Sequence, residues 1–149
     1  MLRVAHILTL VNPASIHQDL TQALFWADRL GATVHALEVR TTEGDTLPAT
    51  SSEAQPSDAV QHAVRAHAET VPFVSLDNLT VRGLRMTAPS PVLGLLRYAA
   101  HHTIDLIVVM PGTADWDPSG LSADQLTRLI EETSCPLFIA QNRAIDVEH

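Results

Sequence analysis

Apolar and polar residues alternate along this chain with two periods, and the period switches repeatedly. Residues 3–11, RVAHILTLV, are rich in branched apolar side chains and end at Asn12-Pro13, which predicts a buried strand. Over residues 15–30, Leu20, Leu24, Ala27 and Leu30 fall at helical spacing, and Gly31 stands where a helix would stop. Residues 33–40, TVHALEVR, alternate and predict a second strand. Ser57 opens a second helix through Val60, Val64 and Ala68 towards Val71, with Pro72 as the stop. A third strand spans 79–86, anchored by Val81 and Leu84. Ser90-Pro91 reads as an N-cap followed by proline at the first helical position. The helix it opens carries Val92, Leu95, Leu96 and Ala99 on one face. Residues 104–110 form a continuous apolar run, as expected of a strand covered on both faces. A helix over 122–133 turns Leu126, Leu129 and Ile130 inward, and PLFIAQ at 136–141 is a last strand.

Strands that alternate with helices in this way imply a mostly parallel sheet with helices on both faces. Between the second strand and second helix, residues 41–56 (TTEGDTLPATSSEAQP) are polar and without apolar period, which predicts a mobile loop. No internal repeat or domain boundary interrupts residues 1–149, so one domain is expected. Ligands of such sheets sit outside the carboxyl ends of the strands, where strand order reverses. Asn12, the segment after Val39 and the loop at 110–126 therefore fall in one neighbourhood.

Composition narrows the chemistry. No apolar run approaches the roughly 20 residues that span a bilayer, and the amino-terminal MLRVAHILTLVN is strand-like rather than signal-like. A cytoplasmic protein is expected. The formal net charge of −8 disfavours nucleic acid or an anionic membrane as partner. Cys135 is the single cysteine, which excludes an internal disulfide or a multi-cysteine zinc site. All nine basic residues are arginine. Without lysine there is no Walker-type phosphate loop and no Schiff base, and no GxGxxG fingerprint occurs.

Several segments together resemble the universal stress protein family: the first strand ending in VNPAS, the helix and strand HQDLTQALFWADRLGATVHALEV, then PVLGLLRYAAHHTIDLIVV and the closing SCPLFIA. The likeness covers nearly the whole chain. It implies an open parallel five-stranded sheet with helices on both faces, adenine nucleotide alpha hydrolase-like and Rossmann-like doubly wound. It also implies dimerisation, a role in stress tolerance and, in one branch, binding of ATP or a related nucleotide. That branch carries G-x2-G-x9-G-(S/T) directly after the fourth strand. Gap-free alignment between IDLIVV and Cys135-Pro136 places the three glycines on Met110, Thr113 and Ala123, and the hydroxyl residue on Asp124. Gly112 and Gly120 are out of register, so the chain resembles the branch that lacks the glycine-rich loop.

Glycine in a phosphate loop reaches positive φ and lets backbone N–H groups approach the anion. Met110, Thr113 and Ala123 weaken both. Ser122 and Gln125 form an S-x-x-Q capping box, and Asp124 adds negative charge to the same first turn. Between His102 and Arg128 there is no basic residue, whereas Asp105, Asp115, Asp117 and Asp124 are present. A triphosphate there would depend on arginines from elsewhere, such as Arg40 or Arg85. Asn12 stands where the family often has an acidic residue touching the nucleoside; its amide can still hydrogen-bond a ribose or base. The candidate crevice is thus Asn12, Ser15, Val39, Met110, Gly112, Thr113, Trp116, Ser122 and Asp124. Trp116 either plugs this crevice or touches a partner, and plugging is favoured.

Other constellations carry less. His62 and His67, five apart on a helix, point to different faces rather than to one ion, and His101-His102 suit a helix end, so no metal is expected. Ser15, His17 and Asp19 are sequence neighbours without a G-x-S-x-G elbow. Cys135 enters a buried strand and reads as a small core residue. Trp26 lies off the main apolar stripe of its helix, either partly exposed or on a wider buried face. The last strand falls at the sheet edge, and pairing with its own copy through Leu137, Phe138 and Ile139 would cover that edge. The expectation is a homodimeric regulatory or interaction module that is not an enzyme, needs no cofactor and meets an unknown protein partner. The alternatives are a stress protein that binds ATP or AMP, with weak ATP hydrolysis, or a small-ligand binder using the same crevice.

Overall fold

The structure, a computed structural model, describes residues 4–11, 18–41, 54–71, 74, 77, 79–109, 123–133 and 135–139. In chain order these form β1 (His6–Leu10), α1 (Gln18–Leu30), β2 (Thr33–Thr41), β3 (Gln55–Pro56), α2 (Asp58–Ala68), β4 (Thr80–Ala88), α3 (Pro91–His101), β5 (Leu106–Val109), α4 (Ala123–Glu132) and β6 (Leu137–Ile139). The sheet order is β3-β4-β2-β1-β5-β6. All pairings are parallel except that of β3, whose Gln55 and Pro56 lie antiparallel to Arg85 and Leu84 of β4. The five parallel strands are those the periodicity predicts. The two-residue β3 is an addition, formed by the end of the segment read as a polar loop, and Thr41 closes β2 rather than opening that loop. Residues 42–53 of that loop lie outside the described residues.

The element ends follow local chemistry. Gly31 adopts φ 66°, and Ala32 N–H reaches back to the Ala27 carbonyl at 3.0 Å, closing α1 with a left-handed residue that glycine reaches without strain. Ser57 and Ser90 cap α2 and α3, accepting from the amides of Val60 and Leu93, and Pro91 takes the first turn of α3.

Side chains alternate across the sheet and feed two cores. Ile7, Val34, Ala36 and Val81 meet Leu20 and Leu24 of α1 and Val60 and Val64 of α2. On the opposite face, Leu8, Leu10, Leu37, Leu84 and Ile107 meet Val92, Leu95 and Tyr98 of α3 and Leu129 of α4. Each fully buried Leu, Ile or Val contributes about 1.5–3 kcal/mol. Two residues depart from the expected stripes. Leu30, the last residue of α1, is exposed beside the Gly31 turn, and Ile130 is 55% exposed while Leu129 is fully buried. The helix α4 packs on α3 and buries a stripe along Leu126 and Leu129 that is too narrow to include Ile130.

At its β4 edge the sheet is closed by a side chain. The Gln61 amide of α2 donates to the Val81 carbonyl at 3.0 Å and accepts from Gly83 N–H at 2.7 Å, as a neighbouring strand would. Gly83 permits the close approach of α2, because a Cβ there would collide with the backbone nitrogen and Cα of Gln61.

Candidate functional site

The chain moves outward from β1 to β2 and β4, then returns to β5 on the other side of β1 and continues to β6. Strand order therefore reverses between β1 and β5, where Thr9 is registered with Val108. A crevice beyond the carboxyl ends of these two strands is the place where such a sheet binds ligand. Segments 12–17 and 110–122 leave from these ends, so Asn12, Ser15, Met110, Gly112, Thr113, Trp116 and Ser122 lie outside the described residues. The Ser122–Gln125 capping box and the Ser15–His17–Asp19 set are likewise not described.

Val39 and Asp124 are placed. Val39 lies on β2 opposite Met86 of β4 and is partly buried against the second core. The helix α3 crosses it closely at Gly94, where a Cβ would come within 2.5 Å of Val39 Cγ2. Asp124 is exposed in the first turn of α4, which puts a carboxylate at the positive end of that helix dipole.

The arginines that could have served this region are engaged with Glu38. Arg85 stands directly across from Glu38 in the β2–β4 register, and its Nε donates to the carboxylate at 2.7 Å. Arg40 approaches the other oxygen at 3.6 Å. Arg85 also lines an open cleft of about 450 Å³ between β4 and the start of α2, with Gln55, Ser57 and Asp58 among its walls. This cleft lies at the β4 edge, away from the switch point between β1 and β5.

The histidines divide by environment. His62 is exposed, whereas His67 is half-buried and shares a 2.8 Å hydrogen bond with Thr21 Oγ1 that joins α2 to α1. Burial lowers the His67 pKa. The Nδ1–H groups of His101 and His102 donate to the carbonyls of Arg97 and Tyr98, closing the carboxyl end of α3. An unforeseen group lies beneath that end. His35 is 3% exposed, with Nε2 3.1 Å from His6 Nδ1 and Nδ1 2.7 Å from Tyr98 Oη. Desolvation, then the charges of His6, Arg82 and His102, lower the His35 pKa to about 4. The only signal in the sequence is its place in TVHALEVR, two residues before the core residue Leu37 on the same face of β2.

Among the described residues no group of three or more His, Cys, Asp or Glu side chains is placed to hold a metal ion. No described helix is long and apolar enough to cross a membrane. Cys135 is partly buried, and its Sγ donates to the Ile104 carbonyl at 3.3 Å. Trp26 is partly buried against the first core, edge-on to Phe25. Leu137 is also partly buried, against the second core, while β6 itself pairs with β5 at the end of the sheet.

No family model and no curated protein matches the chain. Solved structures do. Universal stress protein UspA from Lactobacillus plantarum superposes with a TM-score of 0.63 at 21% identity, over 93% of this chain and 99% of that one. A universal stress protein in complex with cAMP gives 0.60 at 11% identity, over 95% and 99%. The universal stress protein from Archaeoglobus fulgidus in complex with dAMP gives 0.52 at 12% identity, over 93% and 98%. The chain has the fold of the universal stress proteins.

Proposed function

We propose that this chain is a universal stress protein-type regulatory or interaction module, cytoplasmic and homodimeric, whose nucleotide site has degenerated so that it does not hold ATP. The observation that carries this reading is the substitution pattern of the β5–α4 connection. Met110, Thr113, Ala123 and Asp124 stand at the glycine and hydroxyl positions of the resembled loop, and its length is kept. Two placements support it. Asp124 adds an exposed negative charge in the first turn of α4, and Arg85 and Arg40 are already turned onto Glu38. A triphosphate would meet like charge at the helix start and would have to draw arginine away from a carboxylate. The module acts by binding, without turnover.

A second reading is favoured by the cAMP and dAMP complexes of structural neighbours: a nucleoside monophosphate in the crevice, with the Asn12 amide on its ribose or base. A small ligand of another kind between Asn12, Val39 and Gly112 is the third. Calorimetry with ATP and with AMP, each with and without magnesium, separates the first two. The degenerate-site reading expects no ATP binding tighter than roughly 10 μM, about −7 kcal/mol. Tighter ATP binding overturns it. Binding of AMP alone selects the second reading.

A further inference from the structure

A chain of hydrogen bonds runs across the amino-terminal end of the sheet, opposite the crevice. His6 on β1 bonds His35 on β2, and His35 bonds Tyr98 on α3. Tyr98 is 2% exposed, and its ring stacks on His102 with centroids 3.9 Å apart and planes 12° from parallel. Tyr98 is therefore the side chain through which the carboxyl half of α3 is hydrogen-bonded to the sheet.

Both ring nitrogens of His35 are used, and a neutral imidazole has one donor and one acceptor. The chain of bonds must therefore run in one direction. Either Tyr98 Oη donates to His35 Nδ1 and His35 Nε2–H donates to His6 Nδ1, or the order is reversed throughout. Protonated His35 would be a donor at both nitrogens, to His6 Nδ1 and to the Tyr98 oxygen. The bonds could survive, but the charge would be buried. The groups around it from each packed element are His6 on β1, Arg82 on β4, and Tyr98 and His102 on α3. From the turn before β5 comes Asp105, whose Oδ2 already accepts from the amides of Ala5 and His6. Arg82 is a cation among these neighbours, the charges of His6 and His102 act on His35 in the same sense, and no described ion pair includes His35.

We infer that the His6–His35–Tyr98 chain is an acid-sensitive latch: neutral His35 holds the carboxyl half of α3 on the sheet, and its protonation releases that half. Release is favoured because lifting Tyr98 lets water reach the imidazolium, whereas the docked state keeps it buried beside Arg82. The amino half of α3 is held separately, by its Ser90 cap and by the close packing of Gly94 on Val39. The device is independent of what fills the crevice.

Hydrogen exchange followed amide by amide tests it on the full chain at pH 7.5 and 4.5, after correction for intrinsic rates. With a docked pKa of about 4 and a released value of 6.5, protection at 97–101 should fall on the order of 70-fold relative to α1. His35→Gln keeps one donor and one acceptor but cannot take a proton, so α3 protection in that variant should follow α1 across the same interval. Uniform loss of protection in all helices, or a variant that tracks the wild type, overturns the latch. Should the variant not fold, the wild-type His35 ring followed by NMR decides. Titration near pH 4 accompanied by α3 exchange supports the latch, and titration near 6.5 with α3 still protected overturns it.

Discussion

A histidine on the covered face of a parallel sheet is tolerated only while it is neutral, and His35 is such a residue. Its pKa is about 4 in the folded chain against 6.5 when unperturbed. Between these values the unfolded chain binds a proton that the folded chain does not, so global stability rises with pH across the window. Acidification from above 6.5 to below about 4 should remove roughly 3 kcal/mol on this account alone. Urea midpoints at several pH values for wild type and His35→Gln isolate that contribution, because the carboxylates common to both cancel. The stability gap should shift in favour of the variant as pH falls. Parallel pH profiles would show that His35 bears none of the acid sensitivity. The position was not legible beforehand, because hydrogen-bond partners 29 and 63 residues away leave no local pattern.

Elements were legible where a cap or a period announces them. Ser90-Pro91 fixes the start of α3, and Gly31 the end of α1, through backbone geometry that only a few residue types satisfy. Contacts that set how one element lies on another were not. Gly94, inside α3, drew no reading from the sequence, yet it is where α3 approaches β2. Alanine is ordinarily favoured over glycine in a helix by about 1 kcal/mol. Here a Cβ would fall 2.5 Å from Val39 Cγ2 and 2.9 Å from Cγ1. Gly94→Ala should therefore destabilise the protein by about 1–3 kcal/mol through overpacking. Since the obstructing atoms belong to a side chain, Val39→Ala should relieve the clash. Denaturation of the two single variants and the double variant forms the cycle. A Gly94→Ala cost unchanged in the Val39→Ala background would mean that α3 does not rest on Val39. Gln61 shows the same limit of sequence reading: a polar residue on a helix gives no hint that its amide completes a sheet edge.

At the scale of the whole molecule, the doubly wound parallel sheet follows from the alternation of strand and helix, and the switch point follows from the order of strands. The candidate site was legible only as a neighbourhood: Val39 and Asp124 are its described members, and the other candidates lie outside the described residues. The two sheet edges are treated differently. Strand β4 is closed by the Gln61 amide and by β3. Strand β6 ends the sheet on the other side and pairs with β5. An apolar strand, LFI, without a partner on its outer side among the described residues is a template for another strand, and a second copy of the same edge would satisfy it about a two-fold axis. The exposed Ile130 on the helix preceding β6 adds apolar surface at the same end of the chain. The wild type should therefore sediment as a dimer, and a charge placed at the edge by Ile139→Asp should shift it to monomer. An unchanged dimer in that variant would remove β6 from the interface and assign dimerisation to another surface.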